Sequence, residues 1–285
     1  MIRAFKRLLR ALLTGSSFLF FFSGGTTLAY VILPLVRWRT RGSEEDKAAE
    51  CRRWVADSWI FFHDYMRFWG LISYQSWQLA APLPEGPLVV IGNHPTLIDV
   101  TAIISAWPRL VCVAKPEHFR SPLIGRLLGY CGYINSGDAG LFSAATVVTN
   151  SVEALKKGAA ILIFPEGTRS PRNGLHKFRQ GAFEMAARAG VPVQPVFISC
   201  DPPTLMRGQH WWEVPSRMAK LKVTALPLLA APQGDPAELA ERLTGEYQAR
   251  LESFLAARPL PEDSEGPEPA EVAAPPAQRW GNRGA

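Results

Sequence analysis

No charged residue occurs between Arg10 and Arg37. An apolar run of that length is long enough to cross a bilayer, so the N-terminal end of the chain is expected in lipid rather than in a water-facing surface. Basic residues flank it on both sides: Arg3, Lys6, Arg7 and Arg10 before, Arg37, Arg39 and Arg41 after. A single crossing would leave one basic cluster on the wrong side of the membrane. Gly24-Gly25 within the run and Pro34 near its end would allow a bend, which favours a monotopic or re-entrant element over a single span. A cleavable signal is disfavoured, because no small-residue cleavage site closes the run. In the next segment Val55, Trp59, Phe62, Met66 and Trp69 recur at spacings of four and three, one face of a helix, with Arg53, Asp57, Asp64 and Arg67 opposite. The tryptophans suggest that this apolar face lies at a membrane surface.

After Pro84 the pattern changes. Short continuous apolar runs at residues 87–92, 110–114, 159–164, 191–198 and 221–226 read as strands buried on both faces. Helical periodicity fills residues 96–106, 123–130, 141–157, 180–189 and 236–257. Alternation of the two predicts an α/β fold with a mixed, largely parallel sheet flanked by helices, preceded by the membrane-embedded helical element. Pro192, Pro195 and Pro227 are expected to keep their strands at an edge or to delay where those strands start. The predicted organisation is an N-terminal membrane-associated unit (1–72), a catalytic domain (73–257) and a disordered Pro/Glu/Ala-rich tail (258–285).

Two segments at strand ends carry chemistry. The first is Gly92-Asn93-His94-Pro95-Thr96-Leu97-Ile98-Asp99, with Pro95 suited to the first helical position. Inside one helix, His94 and Asp99 would point about 140° apart. His94 must therefore sit on the turn before the helix, where its ring can lie back onto the Asp99 carboxylate. That arrangement suits a general base: one ring nitrogen faces a hydroxyl while a carboxylate fixes the other. The second segment is Phe164-Pro165-Glu166-Gly167-Thr168-Arg169-Ser170. An arginine and exposed N–H groups on a turn at the carboxyl edge of the sheet suit a phosphate. Lys115, directly after another strand, could add a second positive charge; Arg172, Lys177 and Arg179 could do likewise, although a solvated basic loop is the favoured reading for them.

Together these segments resemble the glycerol-phosphate and lysophospholipid acyltransferases. His94 to Asp99 fits that family's H-x4-D motif, and Phe164 to Ser170 fits its F-P-E-G-T-R-S motif almost letter for letter. Val191-Pro192-Val193-Gln194-Pro195-Val196 looks like its fourth block, and Lys115 falls where the family commonly has a lysine. The resemblance implies a glycerol-3-phosphate acyltransferase-like fold and transfer of a fatty acyl group, from acyl-CoA or acyl carrier protein, to the hydroxyl of a lyso-lipid, foremost 1-acylglycerol-3-phosphate. His94 would be the base and Asp99 its orienting partner. Glu166, Gly167, Thr168 and Arg169 would bind the acceptor, with Arg169 and Lys115 on its phosphate. It also implies a place on the cytoplasmic face of the inner membrane and no cofactor beyond the acyl donor. One block departs from the pattern: where the family's second motif usually ends in arginine, this chain has Asn135 and Ser136, which opens the alternative of a different lyso-lipid or hydroxylated lipid as acceptor.

Other function classes find little support. No G-x-S-x-G elbow occurs, and Cys131, with apolar neighbours, reads as an inert thiol, against a hydrolase. The five histidines are too dispersed for a metal motif, and the four cysteines show no C-x-x-C pairing. The net charge of +6 suits an anionic lipid surface. Without aromatic residues interleaved among the basic ones it does not point to nucleic acid. A non-catalytic lipid-binding protein is the remaining alternative.

Overall fold

The computed structural model describes residues 2–74, 82–122, 124–137 and 141–258. The expected tail beyond Arg258 lies outside them. Helix α1 (Ile2–Thr27) continues through a π turn (Leu28–Ile32) into α2 (Leu33–Arg39). The cause of the π turn is local. Pro34 has no N–H to give the preceding turn and its ring would crowd the carbonyl four residues back. Leu33 instead donates its N–H to Leu28, one residue further than in an α-helix. Gly24-Gly25 and Pro34 therefore do not reverse the chain as expected. Reversal comes later, and α3 (Glu44–Phe68) runs back along the first helices, started by a capping box between Ser43 and Asp46.

The apolar face of α3 also differs from expectation. Val55, Phe62 and Met66 are buried within the protein, and Trp59 stacks on Phe21 at 5.5 Å. That face packs on α1 and on the helix Asp99–Ala106 in the α/β part of the chain. Trp69 of that face stays exposed, as does Trp54, and the other large apolar side chains left outside include Phe61, Phe68 and Trp38. Periodicity identifies which face is apolar but not what covers it.

Among the described residues seven strands follow: β1 (Ile72–Ser73), β2 (Leu88–Gly92), β3 (Leu110–Ala114), β4 (Ile134–Asn135), β5 (Ala160–Ile163), β6 (Val193–Asp201) and β7 (Ala219–Ala225). Their order is β1-β7-β6-β2-β5-β3-β4, parallel throughout except for the antiparallel pair β6–β7. Side chains alternate between two cores. Leu88, Val90, Leu110 and Leu162 face α1, α3, α4 (Asp99–Ala106) and α6 (Gly125–Tyr130). Val89, Ile91, Ile161 and Phe197 face α7 (Leu141–Lys156), α8 (Gly181–Ala189) and α9 (Pro236–Ala256). Both faces are covered, which explains why the central strands are apolar without alternation. The helix α5 (Pro116–Arg120) follows β3.

Strand β6 lies in the interior of the sheet despite Pro195. The strand starts after Pro192, and Pro195 pairs with Ile91 of β2 one residue before the β7 ladder begins at Val196. On the β7 side, the Gln194 side-chain amide donates to the carbonyl of Leu226 at 2.6 Å, so this acceptor is satisfied where proline has no N–H. Helix α4 begins at Asp99, so Pro95 is not its first residue.

Candidate active site

The carboxyl ends of β2 and β5, adjacent in the sheet, bring the two motifs together. Asn93, buried at the end of β2, grips β6 with both ends of its amide: Nδ2 donates to the carbonyl of Ile198 at 2.8 Å, and Oδ1 accepts its N–H at 2.7 Å. The side chain thus mimics one more peptide of the ladder and sets where His94 leaves the sheet. The motif contains Asn93, but nothing in its spacing announces this clamp.

His94 then turns across the end of β5. Its Nδ1 lies 2.9 Å from Asp99 Oδ2, and its ring stacks on Phe164 with centroids 4.3 Å apart. Asp99 is fully buried and receives two further hydrogen bonds, from the Thr96 N–H at 2.7 Å and from Thr96 Oγ1 at 2.5 Å. The carboxylate thereby shapes the turn from residue 94 to 98 and delays the start of α4. With Nδ1–H given to Asp99, Nε2 is the nitrogen with a free lone pair.

Glu166, expected to help bind the acceptor, lies between the two motifs. It is 2% exposed, and both of its oxygens are engaged by the protein. Oε1 accepts the backbone N–H of His94 at 2.9 Å and the hydroxyl of Ser170 at 2.6 Å, while Oε2 accepts the N–H of His176 at 2.9 Å. The N–H of Ser170 in turn donates to the carbonyl of His94 at 2.7 Å. Glu166 joins the motifs. The same network brings in Ser170 and His176, which sequence reasoning did not single out.

The remaining residues form the outer part of the site. Gly167 adopts φ +71°, where side chains are strained, and a Cβ there would lie 2.9 Å from Cζ of Arg179. Arg179 is exposed but lies against this turn, and its backbone N–H donates to the carbonyl of Pro165 at 2.9 Å. Thr168 and Arg169 are half-buried, and Arg169 Nη1 donates to the carbonyl of Leu205 at 3.3 Å. Lys115 is exposed after β3, two strands removed from β2. Asn135 turns its side-chain oxygen to the N–H of Gly137 at 2.9 Å.

Cys131 is not at this site. It is buried against α3, where Arg52 Nη1 donates to its carbonyl at 2.9 Å, and burial pushes its thiol well above the usual range. Burial likewise pushes Cys200 up to about 12, with the neighbouring Asp99 charge adding to it. Neither is suited to act as a thiolate. Among the described residues, no group of three or more His, Cys, Asp or Glu side chains is arranged to hold a metal ion.

The Acyltransferase family model matches residues 77–199. Over those residues the chain is similar to acyltransferases. The matched segment contains His94, Asp99 and the whole Glu166 network. A 1-acyl-sn-glycerol-3-phosphate acyltransferase of Brassica napus chloroplasts is 33% identical over 40% of this chain and 33% of its own length. One from Pseudomonas aeruginosa is 27% identical over 86% of this chain and 90% of its own length. The chain covers 33% and 40% of the lengths of the Brassica napus and Arabidopsis thaliana chloroplast relatives. The chain shares its fold with the 1-acyl-sn-glycerophosphate acyltransferase of Thermotoga maritima. The TM-score is 0.67 at 20% identity, over 90% of this chain and 98% of that one.

Proposed function

We propose that this chain is a membrane-bound O-acyltransferase of phospholipid synthesis, acylating the free hydroxyl of 1-acylglycerol-3-phosphate. The observation that carries this reading is the Asp99–His94 contact of 2.9 Å at a strand end. His94 Nε2 accepts the proton of the acceptor hydroxyl as its oxygen attacks the thioester carbonyl of acyl-CoA or acyl carrier protein. A C–O bond forms, the C–S bond breaks, and the proton passes from His94 to the departing thiolate. Asp99 stabilises the imidazolium in between. No enzyme ester is required.

An apolar cavity of about 710 Å³ supports a lipid substrate. It lies between α1, α3 and α4, lined by Phe21, Phe62, Met66 and Ile104, and it reaches Leu97 and Leu205 beside the His94 turn. Its size falls among small-molecule sites, roughly 300–1,000 Å³. An acyl chain held there would place its carbonyl near His94. Arg169, with Thr168 and the Gly167 turn, would receive the acceptor phosphate, and Lys115 would add charge at the rim. The N-terminal helices would hold the protein on the cytoplasmic face of the inner membrane. Because Asn135 and Ser136 replace the family's usual arginine, a different lyso-lipid or hydroxylated lipid is the second reading of the acceptor.

The test is acyl transfer in detergent by wild type and His94→Ala, with labelled acyl-CoA or acyl carrier protein and a panel of lyso-lipids. Acylation of lysophosphatidate, reduced at least ~100-fold in His94→Ala, is the expected result. Equal transfer by both proteins would overturn the role of His94. Turnover of another lyso-lipid alone would establish the second reading.

A further inference from the structure

Leu8, Leu12, Gly15, Leu19 and Phe22 recur along α1 at spacings of four and three, so they share one helical face. The three leucines and Phe22 are 59%, 63%, 71% and 45% exposed. Gly15 interrupts this apolar stripe, and the gap is filled from elsewhere in the chain. The Trp211 ring lies where a side chain at residue 15 would be, its Cζ3 3.1 Å from that Cβ position, and it meets Phe18 edge-on at 6.4 Å. Trp212 stands beside it, and the two indoles remain 44% and 52% exposed. The apolar surface of α1 therefore continues onto the loop between β6 and β7. Any surface that covers the helix stripe also meets this loop.

The loop is tied at both ends. Arg10 donates to the carbonyls of Pro215 at 2.8 Å and Arg217 at 3.1 Å, which fixes one end to α1. At the other end, Leu205 holds φ +53°, uncommon for a leucine, and its carbonyl accepts from Leu97 N–H at 3.1 Å and from Arg169. Thr96 and Met206 form a β-bridge next to it. One loop thus connects the exposed helix stripe to the His94 turn and to Arg169.

We propose that residues 203–217 form an interfacial loop, in which Trp211 and Trp212 seat with the α1 stripe in the headgroup region of an anionic phospholipid bilayer. The proposal rests on the reading of this chain as membrane-bound and adds which part of the catalytic domain touches lipid. Indole rings favour that boundary because they carry an apolar body and one N–H donor. Exposed Arg207 in the same loop and the chain's net charge of +6 suit an anionic surface. Seated about 5–10 Å into the headgroup boundary, the loop brings Arg169 and the Leu97 turn to the lipid surface. An acceptor head group then reaches them without its acyl chain leaving the bilayer.

The four native cysteines are buried, so an introduced exposed cysteine is the preferred site of labelling. Full-length Trp212→Cys, and separately Leu19→Cys as a control on α1, are labelled with a nitroxide. Each is reconstituted with vesicles of phosphatidylethanolamine and phosphatidylglycerol. The expected result is that both labels collide more with oxygen, which partitions into lipid, than with a water-soluble nickel chelate. Oxygen preference at residue 19 with nickel preference at residue 212 overturns the loop proposal while leaving the membrane reading intact. Nickel preference at both sinks the membrane reading and the proposal with it. Spin–spin broadening at residue 212 would place a second copy of the chain on the patch and also overturn it.

Discussion

Glu166 Oε1 accepts the backbone N–H of His94 at 2.9 Å, so the two sequence motifs are bolted together through a buried carboxylate. Removing that carboxylate strips acceptors from the Ser170 hydroxyl and the His176 N–H, and leaves the His94 N–H with its longer bond to Ser170 Oγ at 3.2 Å. Glu166→Ala should cost about 3 kcal/mol of stability in denaturant titration, and Glu166→Gln, which keeps one acceptor oxygen, less. In turnover the damage should fall on kcat, because Glu166 holds the His94 turn. A raised acceptor KM with unchanged stability and kcat would return Glu166 to substrate binding.

Asp99 combines two roles that substitution can separate. Asp99→Asn can still accept from Thr96, so the turn should survive and the protein should stay folded. The Nδ1 tautomer and the imidazolium lose their anionic partner, and kcat should fall on the order of 10³-fold with little change in KM. Retained kcat would remove Asp99 from the reaction.

Gly167 and Arg179 act on one another. A methyl at Gly167 would displace the tip of the Arg179 side chain and add strain of about 1 kcal/mol from φ +71°. If Arg179 helps to hold the acceptor phosphate, Gly167→Ala and Arg179→Ala should each raise acceptor KM. Their effects should not add, because the first already dislodges the residue removed by the second. Full additivity of the two effects would show that Arg179 acts independently of the turn.

Burial lowers His63 to about 4 from its ordinary 6.5. Between those values the unfolded chain takes up a proton that folded His63 does not. Its contribution to stability is thus fully present above pH 6.5 and is lost as the pH falls toward 4, by about 3 kcal/mol. Melting of wild type and His63→Gln at pH 7.5 and pH ~4.5 checks this: the wild type should lose more. Equal losses would show that other groups set the acid limb.

The central strands were legible because burial on both faces demands continuous apolar residues, and residues 110–114 form β3 as expected. The His94–Asp99 contact was legible because helix geometry left a preceding turn as the one workable position. What escaped depends on partners distant in sequence. Pro195 suggested an edge, yet Gln194 supplies the missing donor to Leu226 and the strand stays inside. Pro95 suggested a helix start, yet Asp99 holds residues 94–98 in a turn instead. The buried network of Glu166 is not announced by its motif, which states identity and spacing but not which way a side chain points. The two-residue strands β1 and β4 are too short to leave any periodicity.

The π turn at residues 28–32 also sets the phase of the long first helix. The exposed stripe of α1, continued at regular spacing, would run on through Ala29 and Leu33, yet both are fully buried and Val31, Leu35 and Trp38 are exposed instead. The extra residue in that turn is taken up by its wider winding, so the outward side passes to residues later in the sequence. Deleting a single residue there would restore a regular helix and leave its halves in phase, whereas winding the same residues at the α-helical pitch would rotate the upstream half by about 100°. Gly15 would then swing away from Trp211, and the helix would keep its length and apolar character while losing its register with the sheet and its helices.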